Sequence, residues 1–498
     1  MEILYNEASL NRIAGSAAAQ AMVESDIPLP EAHRDAVRVL DADGSVNVDN
    51  VEVLEGRFML EGSLKVKLIC LDTDGTAFAF ESSSTFKNTA AVEGAEPGMS
   101  YYCKPELLEL SCEPMGGSIR LSATVEFICR ALDNTPIRTL GGIRGANDIE
   151  MLTREVNTAL EETAGEAVFR MREEIASAGV SNVIAHNSNA AVREVTEQEN
   201  SAAVEGTLTF NALCSNSEGE LTQLVQHLPF GELVDIDPHR RGPLSAKANV
   251  EQLTIRPVGD EFGILAVEAQ IKVTVNSLSS KSGMLPVDAY SPSRPFICNT
   301  DNIDVYRAQE PMQKRVVLRE SASVPAGSPD IYRIVFAKGR PVVTGSDVIN
   351  GQMKVEGMLF TTVIYTSDNN GLESFTEDIP FIMDMDVPRN TTDADIDVKC
   401  MSVSGSGAGR TAELSIVLEV TADPYEIEEV SVVRDAAEGG EQTPVRGIIV
   451  YFAGAGETLF DVAKRFRTTR EALREANGDL PEHLSEGQKL LLFLRRNG

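Results

Sequence analysis

One short strand pattern occurs three times in this chain and constrains its fold more than any other feature. The copies are Leu60–Leu64, Val204–Leu208 and Val355–Leu359, and each carries Glu-Gly at its second and third positions. Counting forward in twos from the glycine gives one mainly apolar face in every copy: Leu64, Val66, Leu68, Cys70; Leu208, Phe210, Ala212, Cys214; Leu359, Thr361, Val363, Tyr365. A period of two predicts a β-strand with one buried side.

The three copies stay in register on both sides of the pattern. Each has a turn glycine, then a phenylalanine ten or eleven residues later, then a second alternating strand; the phenylalanines are Phe86, Phe230 and Phe381, and the second strands start near Leu121, Leu265 and Leu414. A polar or glycine turn is expected 18 residues before each repeat glycine, at Gly44, Ser188 and Gly339. Repetition of this length indicates an architectural unit copied in tandem.

The repeat glycines themselves, Gly62, Gly206 and Gly357, lie in the middle of predicted strands. Glycine weakens a strand unless it permits a bulge or a close approach of another group. We therefore interpret all three as structural positions, since a catalytic site rarely needs three copies.

The predicted fold is mainly β, with three tandem antiparallel β-sandwich-like repeats and a small C-terminal βααβ domain. The expected divisions are an N-terminal segment (1–19), repeat 1 (20–133), a helical linker (134–164), repeat 2 (165–278), a linker (279–310), repeat 3 (311–424), a polar linker (425–446) and the C-terminal domain (447–494).

Residues 147–162 interrupt the β pattern. Ile149, Leu152, Val156 and Leu160 recur at helical spacing among charged residues, which predicts an amphipathic helix. Two roles are open for it: packing on a neighbouring repeat, or binding a partner.

Charge and cysteine usage narrow the class of protein. The net charge of −32 makes nucleic acid and anionic membranes poor partners. Residues 447–498 differ from the rest, with eight Lys or Arg against seven Asp or Glu. Seven cysteines without a Cys-x-x-Cys pair favour a reducing cytosol, and we expect no signal peptide and no membrane span.

The sequence contains no recognisable catalytic or cofactor-binding constellation. Its five histidines are scattered, and its glycine runs lack the Lys-Ser/Thr ending of a phosphate-binding loop. Asp393-x-Asp395-x-Asp397 lacks the glycine and glutamate that complete a calcium loop. We predict a protein that is not an enzyme and that uses no cofactor and no metal.

From Gly447 onward the pattern changes to strand, helix, helix, strand. Thr458-x-x-Asp461 predicts a capping box, and a second box at Thr468–Glu471 precedes a helix that ends at Asn477-Gly478. Gly456–Leu459, Val462-Ala463, Asn477 and Gly487–Leu490 closely resemble the signature of the LysM module.

That resemblance implies a shallow groove that binds N-acetylglucosamine chains or a protein. By position, its residues would be Gly456, Glu457, Thr458, Leu459, Asn477, Gly478, Asp479 and Leu480.

Three such repeats before one LysM module resemble the spore-coat proteins built from SPOCS domains. The resemblance implies a non-catalytic scaffold in the mother-cell cytoplasm, at the forespore surface, whose LysM module docks an ATPase of the coat basement layer. The alternative is a protein that binds peptidoglycan of the cortex or wall. Self-association is left open.

Overall fold

The computed structural model describes residues 2–33, 38–144, 146, 148–177, 179–240, 242–258, 263–368, 371–439 and 447–494. These residues form a mainly β structure in which the same strand topology occurs three times along the chain. The first pass comprises β1 (Ile3–Ala8), β2 (Arg12–Pro28), β3 (Arg38–Leu54), β4 (Arg57–Leu71), β5 (Ala77–Ala91), β6 (Ser100–Pro114), β7 (Ser118–Asp133) and β8 (Ile137–Ile143), with a 3-10 turn at Glu31–His33.

The second and third passes repeat these elements with longer or split strands. The second contains β9 (Glu150–Ala176), β10 (Asn182–Glu197), β11 (Ser201–Ser215), β12 (Leu221–Asp235), β13 (Leu244–Pro257) and β14 (Ile264–Tyr290). The third contains β15 (Phe296–Ala308), β16 (Met312–Ser323), β17 (Ile331–Ile349), β18 (Gln352–Ser367), β19 (Leu372–Asp386), β20 (Asp393–Ala408) and β21 (Thr411–Glu438).

Each repeat has two antiparallel sheets that share one buried core. One sheet has the order β3-β4-β5, β10-β11-β12 or β17-β18-β19. The other has the order β2-β7-β6, β9-β14-β13 or β16-β21-β20. The alternating apolar residues predicted from the sequence fill the three cores: Leu64, Leu121 and Phe127 in the first, for example, are fully buried.

The repeat glycines occupy equivalent places in the three cores. Gly62 pairs with Phe86 between β4 and β5, Gly206 with Phe230 between β11 and β12, and Gly357 with Phe381 between β18 and β19. A Cβ added to Gly206 would lie 2.5 Å from the Ala191 carbonyl oxygen and 2.7 Å from Cε1 of Phe230. The phenylalanine ring therefore lies over the glycine, and only glycine leaves room for it.

The predicted helix over 147–162 is wrong for the described part of that range; Asn147 lies outside the described residues. Residues from Glu150 onward belong to β9, which pairs with β14 along the whole of both strands. The residues of 150–162 pair with partners in 277–290, more than 100 positions away, and this long-range pairing overrides a local helical period.

Most described residues of the predicted linkers also lie in strands. Residues 279–290 continue β14, 296–308 form β15, and 425–438 continue β21; residues 440–446 lie outside the described residues. The predicted N-terminal segment likewise contains β1 and the start of β2. Gly44, Ser188 and Gly339 lie within β3, β10 and β17, where a turn was expected at each.

These strands form a two-stranded antiparallel arm on every repeat. The arms pair β1 with β8, the first half of β9 with the second half of β14, and β15 with the second half of β21. Side chains from all three arms share a core that includes Leu10, Ile137, Val156, Leu285 and Val432. The repeat is thus longer than predicted, at 3–143, 150–290 and 296–438.

The C-terminal unit contains β22 (Gly447–Phe452), α1 (Leu459–Phe466), α2 (Arg470–Asn477) and β23 (Lys489–Leu494). Its two strands pair antiparallel, and its helices pack on one face of them. Neither helix exceeds eight residues, so no helix in the described part of the chain could cross a bilayer.

Candidate functional site

The three repeats meet around a common centre. Ile69, Leu213 and Ile364 each lie seven residues after a repeat glycine, and all three belong to one buried cluster. Val335 and Leu40, from another pair of equivalent positions, also belong to it, as do Phe336 and Leu372. We call this the central cluster; it shows that equivalent surfaces of the repeats face one another.

A buried ion pair borders the central cluster. Lys338 Nζ lies 2.7 Å from Asp41 Oδ2 and 3.5 Å from Asp43 Oδ1, and the side chains of Lys338 and Asp41 are 7% and 3% exposed. Burial alone would lower the pKa of Lys338, but the two carboxylates outweigh it and raise that pKa. Burial raises the pKa of Asp41, although Lys338 opposes the shift. The pair joins repeat 3 to repeat 1.

A small cavity of about 130 Å³ beside this pair is lined by all three repeats. His186 of repeat 2 faces it, and its Nδ1 is buried without a hydrogen-bond partner. Burial, assisted by the charge of Lys67, lowers the pKa of His186 to about 4. His186 is therefore a neutral interior group at pH 7.

A larger polar cleft, about 450 Å³, opens on the same centre. Gly44, Ser188 and Gly339, equivalent positions of the three repeats, all line it. Two of its five basic groups connect repeats: Arg340 Nη1 donates to the Leu107 carbonyl at 2.6 Å, and Lys104 donates to the Ile396 carbonyl. The cleft therefore lies between the repeats and is formed by all three of them.

Several polar side chains also hold repeat 2 to repeat 3. Asn211 Nδ2 donates to the Ala337 carbonyl at 2.8 Å, and Gln223 Nε2 donates to Asn211 Oδ1 and to the Val403 carbonyl, each also at 2.8 Å. Because these bonds use backbone acceptors of the neighbouring repeat, they fix the repeats at defined positions. No group of three or more His, Cys, Asp or Glu arranged to hold a metal occurs among the described residues.

In the C-terminal unit, the first predicted groove turn is held by its own hydrogen bonds. Glu457 accepts from the Gly454 amide at 2.8 Å and from the Tyr451 hydroxyl, and Arg465 Nη1 lies 2.6 Å from its Oε1. The Gly454 amide is the main cause of the lowered pKa of Glu457. The Glu457 carboxylate therefore stabilises its own turn and is already engaged by groups of the same unit.

Thr458 is the N-cap of α1. Its hydroxyl accepts from the Asp461 amide at 3.1 Å while Asp461 accepts from the Thr458 amide at 2.9 Å, so the predicted capping box is confirmed. The predicted second box at Thr468–Glu471 is wrong: Thr469, and not Thr468, caps α2, and the third residue after it is Ala472, whose side chain cannot accept the return bond. Gly478 ends α2 at a positive φ of 85°.

The second predicted groove turn is also tied into the fold. Asn477 Nδ2 donates to the carbonyls of Leu473 and Leu491 at 2.8 Å, and its Oδ1 accepts from the Leu491 amide. Leu459 and Leu480 are buried, at 0% and 7% exposure. Among the eight predicted residues, only Gly456, Gly478 and Asp479 are fully exposed.

The first turn pairs with residues 482–484, which follow the second turn, and Leu459 and Leu480 share the core of the unit. The Leu459 amide donates to the Glu482 carbonyl at 2.7 Å, and the Leu484 amide donates to the Glu457 carbonyl at 3.0 Å. The predicted residues are thus brought together, but most of their polar groups already have partners. Their role as a binding groove stays a prediction, as does the LysM resemblance.

The C-terminal unit is anchored on the tip of the second arm, a contact that the sequence did not indicate. Arg470 Nε donates to Glu150 Oε2 at 2.7 Å, and Tyr290 Oη donates to the Thr468 carbonyl at 2.8 Å. Lys464 pairs with Asp288 at the same tip. The ring of Tyr290 also packs edge-on against Phe460 at 5.2 Å between centroids.

Comparison with known proteins agrees with part of this picture. A family model described as the SipL SPOCS domain matches residues 35–115 and 330–404. These stretches lie in the first and third repeats, and the match indicates a sporulation-related role. No curated protein and no solved structure matches the chain.

Proposed function

We propose that this chain is a non-catalytic scaffold of the bacterial spore envelope, and that its C-terminal unit docks a protein of the coat basement layer, an ATPase in the family that the chain resembles. It would act in the mother-cell cytoplasm, at the forespore surface. The SPOCS match to two repeats supports the sporulation setting.

The observation that carries the docking role is the placement of the C-terminal unit. One side of it is fastened to the second arm through Arg470, Tyr290 and Lys464, and its remaining surface is presented outward. These contacts hold the unit in one orientation. Less conformational entropy is therefore lost when a partner binds.

The three repeats supply the body of the scaffold. Their mutual contacts at the central cluster make one rigid support, so a partner bound at the C-terminal unit is held at a defined distance from any contact made by the repeats. Weak contacts that are tethered in this way add up to a stable assembly.

Binding of peptidoglycan is less well supported. A glycan groove needs free polar groups, whereas Asn477 and Glu457 have theirs occupied within the unit. The hydroxyls of a bound sugar would then lack partners, which costs free energy.

Affinity capture from sporulating cells tests the proposal. The intact chain should retain the basement-layer ATPase, identified by mass spectrometry, and a chain that ends at residue 439 should not, while its circular dichroism keeps a β spectrum. Cosedimentation of the purified intact chain with peptidoglycan, lost in Asp479→Ala, would favour the glycan alternative. Retention of the ATPase by the shortened chain would contradict docking through the C-terminal unit.

A further inference from the structure

The outer face of the β22–β23 sheet is apolar and uncovered. Ile448, Val450, Phe452 and Phe493 are 68%, 48%, 60% and 48% exposed. Cross-strand pairing places them together, with Ile448 opposite Phe493 and Val450 opposite the half-buried Leu491.

The opposite face of the same sheet is also apolar, which makes the exposed apolar face unusual. Ile449, Tyr451, Leu490 and Leu492 point to the helices and complete the core of the unit. Alternation would normally place polar residues on the outer face of a sheet that is covered on one side only. Here both faces are apolar, and a contiguous exposed apolar patch of this kind marks an interaction surface.

A lysine borders the patch. Lys489 lies opposite Phe452 in the register and therefore on the same outer face. Within the described part of the chain it has no ion-pair partner. A carboxylate on a partner that covers the patch would pair with this ammonium, which favours a partner that supplies an anionic group at this end.

We propose that this face, defined as Ile448, Val450, Phe452, Leu491, Phe493 and Lys489, is the docking surface for a protein partner that offers an apolar segment with a carboxylate at one end. The inference rests on the proposed function and names the surface that performs it. The proposed face contains none of the predicted groove residues.

Other occupants fit the face less well. A second copy of this chain would present the same face, whose described residues include no carboxylate to meet Lys489. A glycan would place its hydroxyls against side chains that offer no hydrogen bonds, apart from Lys489. The apolar protein segment with a carboxylate satisfies both requirements.

The test uses the full chain and the purified basement-layer ATPase as the probe, with the dissociation constant measured by biolayer interferometry. The double variant Phe452→Thr/Phe493→Thr should weaken binding by at least about tenfold, since buried aromatic residues dominate interface affinity. Threonine suits a strand, so the sheet is kept. Lys489→Glu should weaken binding several-fold, and more at low salt.

The matched control is Ile382→Thr/Ile349→Thr, which removes two large apolar side chains that are 60% and 68% exposed on the third repeat. It should leave the affinity unchanged. Hydrogen exchange of the unmodified chain gives a second readout that needs no variant: the ATPase should protect amides in 447–452 and 489–494.

The outcomes separate the two proposals. If the unmodified chain does not bind the ATPase, both the proposed function and this surface are wrong. If it binds and the Phe452/Phe493 variant binds equally well, or if protection appears only elsewhere, the function stands and the surface is wrong. Concentration-dependent dimerisation of the unmodified chain that the double variant abolishes would assign the face to a second copy and overturn the proposed occupant.

Discussion

Gly357 and Phe381 face each other across β18 and β19, and the ring of Phe381 fills the space that a Cβ of Gly357 would need. Such a Cβ would lie 2.7 Å from Cε2 of that ring and 2.6 Å from the Val342 carbonyl oxygen. The same relationship joins the other two repeat glycines to their phenylalanines. The mid-strand glycine is thus a packing requirement of the repeat.

The first prediction concerns this pair. Gly357→Ala should lower the free energy of unfolding by roughly 1–3 kcal/mol, because the buried ring and the backbone cannot both move away. Gly345→Ala is the matched control in the same repeat, since a Cβ there meets no atom within 4 Å. Chemical denaturation measures both. Equal stability of the two variants would show that the ring does not require the glycine.

The second prediction concerns acid sensitivity. His186 is held neutral, with a folded pKa of about 4 against an ordinary value of 6.5. Between these values the unfolded chain binds more protons than the folded one, so stability should fall as the pH falls from about 6.5 to 4. The contribution of this one group is up to roughly 3 kcal/mol.

His186→Gln should flatten the pH dependence of the unfolding free energy in that window. His239→Gln, at an exposed turn of the same repeat, should leave the profile unchanged. Parallel profiles for the parent and His186→Gln would rule out His186 as a source of acid sensitivity.

The third prediction tests the ion pair between repeats. Asp41→Leu leaves Lys338 buried without its nearest carboxylate and should destabilise the fold by about 3–5 kcal/mol. The double change Asp41→Leu/Lys338→Met should recover most of this loss, because no buried charge remains. Lys354→Met removes one partner of an exposed pair on the third repeat and should cost about 0–1 kcal/mol.

Urea unfolding of these variants completes a double-mutant cycle. A single Asp41→Leu variant as stable as the parent would mean that Lys338 finds another partner, and a double variant no better than the single one would mean that the charge is not the cause.

The fourth prediction concerns the mount of the C-terminal unit. Glu150→Gln weakens the bond to Arg470 and should lower the free energy that couples the unit to the second arm by roughly 1.5–3 kcal/mol, the usual contribution of a hydrogen bond to a charged group. Amide exchange in α2 should become faster while exchange in β4 and β11 stays constant. Arg170→Ala, an exposed change on the same strand β9, should leave exchange in α2 as it is. If amide exchange in α2 is unchanged in Glu150→Gln, then the bond between Glu150 and Arg470 does not hold the C-terminal unit on the second arm.

Local patterns predicted a large share of this fold. The period of two identified the buried faces of β4, β11 and β18 correctly, because alternation depends only on the geometry of one strand. The capping box at Thr458 was correct for the same reason, since its partners are three residues apart. The helical spacing at Ile149–Leu160 gave a wrong prediction. The backbone amides and carbonyls of such a segment can also form their hydrogen bonds with a distant strand, as they do here with β14.

The candidate site was less predictable. The eight groove residues were chosen by position in a motif, and most of their polar groups proved to be engaged within the unit. The outer apolar face does carry a sequence signal, in that apolar residues occupy consecutive positions of β22 and β23 without alternation. A strand covered on both sides has this pattern, and only the structure shows that one side is bare.

The sequence by itself determined that one β unit is used three times, where its glycines and phenylalanines fall, and how the first short helix begins, because each of these depends on residues near one another in the chain. Only the tertiary structure decided that the expected linkers are strands of three arms, that equivalent residues of the repeats meet at one centre, and that the C-terminal unit is mounted on Glu150 and Tyr290. Those outcomes depend on pairings between residues more than a hundred positions apart, and a local pattern does not specify the partner of a strand.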